Sequence, residues 1–368
     1  MKRIATLSFH NAYNYGAVFQ VSALQEILSR LEIDCDIIDY RNKSIDNQYS
    51  FKPLRFDKKF FMTLRLNLTL FPFIKKKKAN FQNWMESYKK TSTISKAELS
   101  SLESQYDKFI VGSDQVWNME CHGGDTTFFL DFVKDNSKKI AYAASFGSYY
   151  LSDDWLGIYK KFIPLFSAIS VREDRGVELV KELTSKSVTC CMDPVLLIGR
   201  EYWESRMPDY QLTDKSYIFV YQLGHEKKTP LFVKHLRHET KLNVIFITGH
   251  IGNMIHYSFK DKNMSSASPE KFLWLLSHAS YVVTNSFHAT VLSMLFRKNF
   301  SVVIEGDEKA TFNSRIYSLL SKFDMTDRLF DFFDRERVMK DVNFARFNCE
   351  YKNICASSIG FLKTSIFC

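Results

Sequence analysis

Residues 281–296, YVVTNSFHATVLSMLF, pass from an apolar, β-branched stretch into a helical pattern with only Asn285 and Ser286 between them. A strand that feeds a helix this directly is the building unit of a parallel sheet covered by helices. The junction carries a hydroxyl, an aromatic ring and an imidazole, Ser286, Phe287 and His288, where a plain turn would serve. His288 falls in the first turn of the expected helix, where free N–H groups and the helix dipole attract an anion. An imidazole there is placed to give a proton to whatever the helix end binds. The plainer role for a lone histidine at such a place is capping or packing.

The same unit recurs along the chain. IATLSF reads as a strand and AVFQVSALQEILSRL as a helix with Val18, Val21, Leu24, Leu28 and Leu31 on one face, followed by the strand CDIIDY. YDKFIVG, KKIAYAASFG, SAISVRE and SVTCCMDP continue the series. Periodicity then weakens through GREYWESRMPDYQLTDKS, punctuated by Pro194 and Pro208. It restarts with YIFVYQLG, NVIFITG, YVVTN and FSVVIE, and closes with NSRIYSLLSKF and a helical tail. These patterns predict an α/β protein of two doubly wound, Rossmann-like domains facing a cleft, residues 1–195 and 196–368. The second would carry the His288 helix.

The chain has 368 residues, 45% of them hydrophobic and 25% charged, which describes a globular protein with a sizeable core and not a disordered one. Its net charge of +9 favours encounter with anionic partners. No nucleic-acid-binding module is visible, so the charge alone does not argue for nucleic acid. Seven cysteines without a CxxC pair give no zinc or redox signature. Neither a signal peptide nor a run of 18 apolar residues is apparent, which leads to the expectation of a cytoplasmic protein. One stretch stands apart, the basic and aromatic insertion near 50–85 that ends in Lys75 to Lys78. Apolar side chains beside a lysine cluster suit peripheral docking on an anionic membrane surface at its inner face, and equally an ordinary helix with a solvated charge run.

Ligands of open α/β sheets bind outside the carboxyl ends of the strands. The residues just after each expected strand are therefore the candidates. The first strand delivers His10, Asn14, Tyr15 and Gly16 to a cleft or acceptor site, and GSDQVWN delivers Asp114, Gln115 and Trp117. Arg172 follows SAISV, while His225 and His250 follow strands of the second series as lesser candidates. Asp114 has two readings, activation of an acceptor hydroxyl or the cap of a helix beginning near Gln115. The chain has no G-x-x-x-x-G-K-[ST], no G-x-G-x-x-G and no H-E-x-x-H, which weighs against a P-loop NTPase, a Rossmann oxidoreductase and a zinc protease.

Taken together, FHNAYNYGAVFQVSALQ, FIVGSDQVWN, KKIAYAASFG, ISVREDRGVELV, MDPVLL, NSFHATVLSMLF and NSRIYSLLSKF resemble the polysaccharide pyruvyl transferase family, in family order over roughly residues 1–325. The resemblance implies a GT-B-like fold. It also implies transfer of the pyruvate unit of phosphoenolpyruvate onto two hydroxyls of a sugar, with release of phosphate. Phosphoenolpyruvate would be a substrate, no cofactor would be needed, and the acceptor would be a surface polysaccharide or its lipid-linked repeat unit. The family's catalytic histidine falls on His288, and the arginine of its S-x-R-E stretch falls on Arg172, as a bidentate anchor for the donor. Many members carry S-x-R-x-H where this chain has Ser286, so one donor-binding cation is missing, and Arg315 and Lys309 are the residues to replace it. A nucleotide-sugar glycosyltransferase of GT-B type, or a non-catalytic capsule-assembly partner, are the alternatives. His288 acting as an acid needs its charged form, and a bound anion about 4 Å away favours that form by roughly 4 kcal/mol at an effective dielectric of 20. That outweighs the at most about 2 kcal/mol by which the helix end opposes it.

Overall fold

A computed structural model describes residues 2–48, 60–249, 251–258, 260–306 and 313–367. His250, Lys309 and part of the basic insertion lie outside the described residues. Among these, twelve strands form two six-stranded sheets in which every pairing is parallel. The first contains β1 (Arg3–Leu7), β2 (Asp34–Ile37), β3 (Lys108–Val111), β4 (Lys139–Ala144), β5 (Ala168–Val171) and β6 (Val188–Cys190), in the order β2-β1-β3-β4-β5-β6. The second contains β7 (Tyr217–Gln222), β8 (Asn243–Thr248), β9 (Lys262–Asn263), β10 (Tyr281–Thr284), β11 (Phe300–Val303) and β12 (Leu329–Phe330), in the order β12-β11-β10-β7-β8-β9. The two-residue edge strands β9 and β12 were not legible as strands, because so short a stretch has no periodicity.

Both sheets reverse strand order in the middle, the first between β1 and β3 and the second between β7 and β10. Crevices open at such reversal points, because the connections on either side lead to opposite faces of the sheet. The fold thus directs the loops after β1, β3, β7 and β10 towards a shared space.

The two domains adhere through apolar packing. Phe19, in the first helix Tyr15–Arg30, lies 5.2 Å from Trp203 and 5.8 Å from Phe272 between ring centres. Tyr15 stacks on Phe272 at 4.2 Å and donates from its hydroxyl to the Ala267 carbonyl at 2.7 Å. The C-terminal helix Ala345–Phe367 returns to the first domain, where Ser358 accepts from the Met192 N–H at 3.0 Å and Ile366 accepts from Lys2 at 2.9 Å.

The helix Phe60–Met85 carries the lysine run. Lys75 and Lys76 are exposed, but Lys77 turns inward, its ammonium 5.9 Å from the ring centre of Tyr15 and 5.7 Å from that of Phe81. Lys78 lies over Tyr13 at 5.4 Å. The four lysines are therefore not one solvated cluster. Burial pushes the Lys77 amine down to about 8. Among the described residues no helix is long and apolar enough to cross a membrane.

Candidate active site

A cavity of about 360 Å³ opens between the domains. Its walls come from the loops that the topology brings together: Asn14 after β1, Asp114 and Gln115 after β3, Gly224 after β7, Asn285 to His288 after β10, and Arg315. Ser286 caps the helix Phe287–Leu295, its Oγ accepting from the Ala289 N–H at 3.5 Å, so His288 does sit in the first turn. Asn14 does the same for the helix Tyr15–Arg30, accepting from the Ala17 N–H at 3.3 Å. Two helix N-termini, one from each domain, thus converge on one cavity.

Gly16, in the first turn of that first helix, explains how closely they converge. A Cβ built on it would lie 2.1 Å from His288 Nδ1, so only glycine admits the imidazole there. On the ring's other side, Nε2 lies 3.4 Å from Asp193 Oδ2 and 3.4 Å from Arg172 Nη1. Arg172 is itself held by carboxylates, with Nη1 2.7 Å from Asp193 and Nη2 3.3 Å from Asp114. Burial opposes the charge on Arg172, yet Asp193 and Asp114 hold its pKa above the ordinary arginine value. Burial likewise opposes the charge on Asp193, yet His288 and Arg172 hold its carboxyl well below the usual range.

Arg172 therefore differs from the expected bidentate donor anchor. Its two terminal nitrogens are engaged by Asp193 and Asp114, and it stands behind Phe287, its guanidinium 4.3 Å from the ring centre, outside the cavity wall. Arg315 reaches the cavity itself, its guanidinium 5.9 Å from the centre of the same ring. Burial and the neighbouring Arg172 push the Arg315 guanidinium down to about 10. Asp114 and Glu173 act on the same guanidinium in the opposite sense.

Other expected residues are placed elsewhere. Trp117 is fully buried and packs on Phe129, Phe146 and Phe166, because the turn after β3 sends the chain back into the core. Tyr15 is the interdomain pin described above and not part of the cleft wall. His10 is buried, with Nε2 2.9 Å from Asp39, and does not line the cavity. His225 is exposed beside His256. Asp114 caps no helix: the next one, Met119–His122, is capped by Asn118. Its own backbone is left-handed, with φ of 75°. Gln115 lines the cavity and accepts from Asn118 at 3.1 Å.

Two further acidic residues lie beside Arg172. Asp193 precedes Pro194 and looks like an ordinary helix cap, which it is, through Oδ1 and the Val195 N–H at 2.9 Å. Only the fold shows that its other oxygen serves the site. Glu173, next to Arg172, is buried and accepts from Ser145 Oγ at 2.9 Å and the Phe146 N–H at 3.2 Å. Burial raises its pKa. Among the described residues no group of acidic, histidine and cysteine side chains is arranged to hold a metal.

The model of the family described as polysaccharide pyruvyl transferase matches residues 14–306, well over half the chain. The chain belongs to the polysaccharide pyruvyl transferase family. This pyruvyl transferase family member is accordingly a transferase acting on a sugar or polysaccharide. A search of curated protein sequences finds no match. Among solved structures, the UDP-N-acetylglucosamine 2-epimerase of Rickettsia bellii is similar with a TM-score of 0.55 and 10% identity, over 100% of this chain and 97% of that one. The UDP-GlcNAc 2-epimerase of Neisseria meningitidis, bound to UDP-GlcNAc, gives a TM-score of 0.51 and 9% identity over 100% of both chains. At such identity the likeness is one of fold: this chain has the two-domain GT-B architecture.

Proposed function

We propose that the protein transfers the pyruvate unit of phosphoenolpyruvate to two hydroxyls of a surface-polysaccharide sugar, free or lipid-linked, as a cyclic ketal. The observation that carries this reading is the meeting of His288, Arg315 and two helix N-termini on one cavity. Phosphoenolpyruvate presents a phosphate and a carboxylate, and the cavity offers a guanidinium and two helix ends to receive them. Arg315 takes the place of the arginine that Ser286 lacks, and Arg172 acts from behind, keeping Asp114 and Asp193 in place.

His288 gives a proton to the methylene carbon, which becomes the methyl group while the neighbouring carbon gains cationic character. The first sugar hydroxyl bonds to that carbon and loses its proton to a base, for which Asp114 on the cavity wall is placed. Phosphate then leaves with its bridging oxygen, and the second hydroxyl closes the ketal. Of the two hydroxyl protons, one restores His288 and the other leaves with phosphate. General acid catalysis of this kind contributes about 10²–10⁴-fold. The exposure of Lys75 and Lys76 on the helix Phe60–Met85 supports docking at an anionic membrane surface, which would bring the enzyme to a lipid-linked acceptor.

Calorimetric titration with phosphoenolpyruvate and with a nucleotide sugar tests the donor. Binding of phosphoenolpyruvate that Arg315→Met abolishes supports the reading. Binding of the nucleotide sugar alone replaces it with the glycosyltransferase alternative.

A further inference from the structure

Phosphoenolpyruvate carries two anionic groups, and one guanidinium on the cavity wall answers only one of them. Among the described residues the lysine and arginine side chains that line the cavity are Arg315 and Lys228. Lys228 opens the helix Lys228–Thr240, after the turn that leaves β7. That turn is fastened to the His288 junction by a reciprocal pair. Asn285 Oδ1 accepts from the Leu223 N–H at 2.7 Å, and Asn285 Nδ2 donates to the Leu223 carbonyl at 2.9 Å. Glu226, also on the cavity wall, has both carboxylate oxygens in use, accepting from Gln222 Nε2 at 2.8 Å and from the Thr229 N–H at 2.9 Å. These contacts hold the turn and occupy the helix end, where Pro230 has no N–H to offer. What this helix start presents to a ligand is therefore the Lys228 side chain and not its backbone. The space beside Gly224 on the same wall is open, since a Cβ there would meet nothing within 4 Å.

The Lys228 ammonium pairs with Asp331, the residue after β12, whose Phe330 lies in register with the cavity residue Val303. The two side chains are 35% and 56% exposed. An ion pair so open to water contributes little, so an incoming phosphate can take the ammonium from Asp331 at small cost. Arg315, by contrast, is buried beside Phe287. The group that departs as free phosphate needs a place open to solvent, whereas the carboxylate stays on the carbon that becomes the ketal and can be held deeper. We infer that Lys228 is the phosphate-binding residue of the donor site, exchanging Asp331 for the phosphate, while Arg315 holds the carboxylate. This rests on the phosphoenolpyruvate reading above. Lys228, His288 and Arg315 follow strands of the second sheet, and Asn14, Asp114 and Gln115 follow strands of the first. The donor is thus bound by one sheet's loops, and the acceptor hydroxyls meet it from the other's.

Calorimetric titration of the full-length enzyme with phosphoenolpyruvate, inorganic phosphate and pyruvate separates the two ends of the donor. Lys228→Met should weaken phosphoenolpyruvate and phosphate by about 10–100-fold and leave pyruvate, which has the carboxylate alone, unchanged. Lys228→Arg should keep part of the affinity. Asp331→Asn removes the competing carboxylate and should tighten phosphoenolpyruvate and phosphate, by up to about fivefold. An equal loss of pyruvate in Lys228→Met overturns the inference, and so does weaker phosphate binding in Asp331→Asn. The second of these decides if Lys228→Met fails to fold. Phosphoenolpyruvate that binds wild type and a folded Lys228→Met alike overturns the role of Lys228 alone. A wild type that binds no phosphoenolpyruvate removes the donor reading, and this inference with it.

Discussion

Gly16 and His288 come from different domains, and the space a Gly16 side chain would occupy is filled by the His288 ring, 2.1 Å from Nδ1 to the Cβ position. Gly16→Ala would favour the helix it lies in by up to about 1 kcal/mol. It would also push the imidazole off Asp193 or part the domains. The expected outcome is a folded protein with Tm within a few degrees of wild type and kcat lower by at least about 10²-fold, since misplacement by about 1 Å has that effect. Activity assays with thermal unfolding check both halves.

Arg315 should separate stability from function. Burial and the neighbouring Arg172 hold its guanidinium down to about 10, so its folded pKa lies below the ordinary value. For a base the sign is that the charged form is disfavoured by folding, a cost present below pH 10 and relieved only as pH rises through it. Arg315→Met removes that cost. The variant should unfold no earlier than wild type at neutral pH while affinity for the donor falls by about 2–3 kcal/mol, the scale of a charge-assisted contact. Thermal unfolding with and without phosphoenolpyruvate measures both.

Acid should destabilise the fold through specific carboxylates. Asp39, Asp125 and Asp193 are each raised by burial but brought well below the usual range by their partners, His10 and Arg41, Lys96 and Tyr40, and His288 and Arg172 respectively. A depressed carboxyl stabilises above its unfolded value of 3.8 and loses that contribution as pH falls towards the folded one. Denaturant midpoints should therefore be flat near neutrality and drop below about pH 4. In Asp39→Asn the midpoint should begin lower at neutral pH and fall less steeply.

The Tyr15 hydroxyl ties the domains together. Tyr15→Phe leaves the buried Ala267 carbonyl without the 2.7 Å contact and should cost about 1–2 kcal/mol, with the ring stack on Phe272 retained. Urea unfolding checks the magnitude.

The lysine run makes a divided prediction. Lys75 and Lys76 are exposed, while Lys77 and Lys78 lie over aromatic rings. Replacing Lys75 and Lys76 with Gln should weaken sedimentation with anionic vesicles, at roughly 1 kcal/mol per lysine. Replacing Lys77 alone should leave vesicle binding unchanged.

The strand-to-helix junctions were legible because β-branched runs and capped helices carry local signals, and this is why His288, Ser286, Asn14 and Gly16 could be located at helix starts. Pairings across distance were not. Arg172 was read as reaching a ligand, whereas Asp193 and Asp114, 21 and 58 residues away, hold both of its terminal nitrogens. Trp117 and Tyr15 were read from their position after a strand. The local pattern cannot say whether a loop aromatic faces the cleft or turns back into a core. Asp193 was hidden by its own second role, since a cap before proline accounts for the residue fully until its other oxygen is seen.

The central claim is best tested by incubating the enzyme with phosphoenolpyruvate and a lipid-linked galactose-containing acceptor, wild type beside His288→Ala. Inorganic phosphate release and a pyruvate-sized mass gain on the sugar, both lost in the variant, are the predicted result. Turnover that survives His288→Ala, or an acceptor modified only when a nucleotide sugar is supplied, would contradict it.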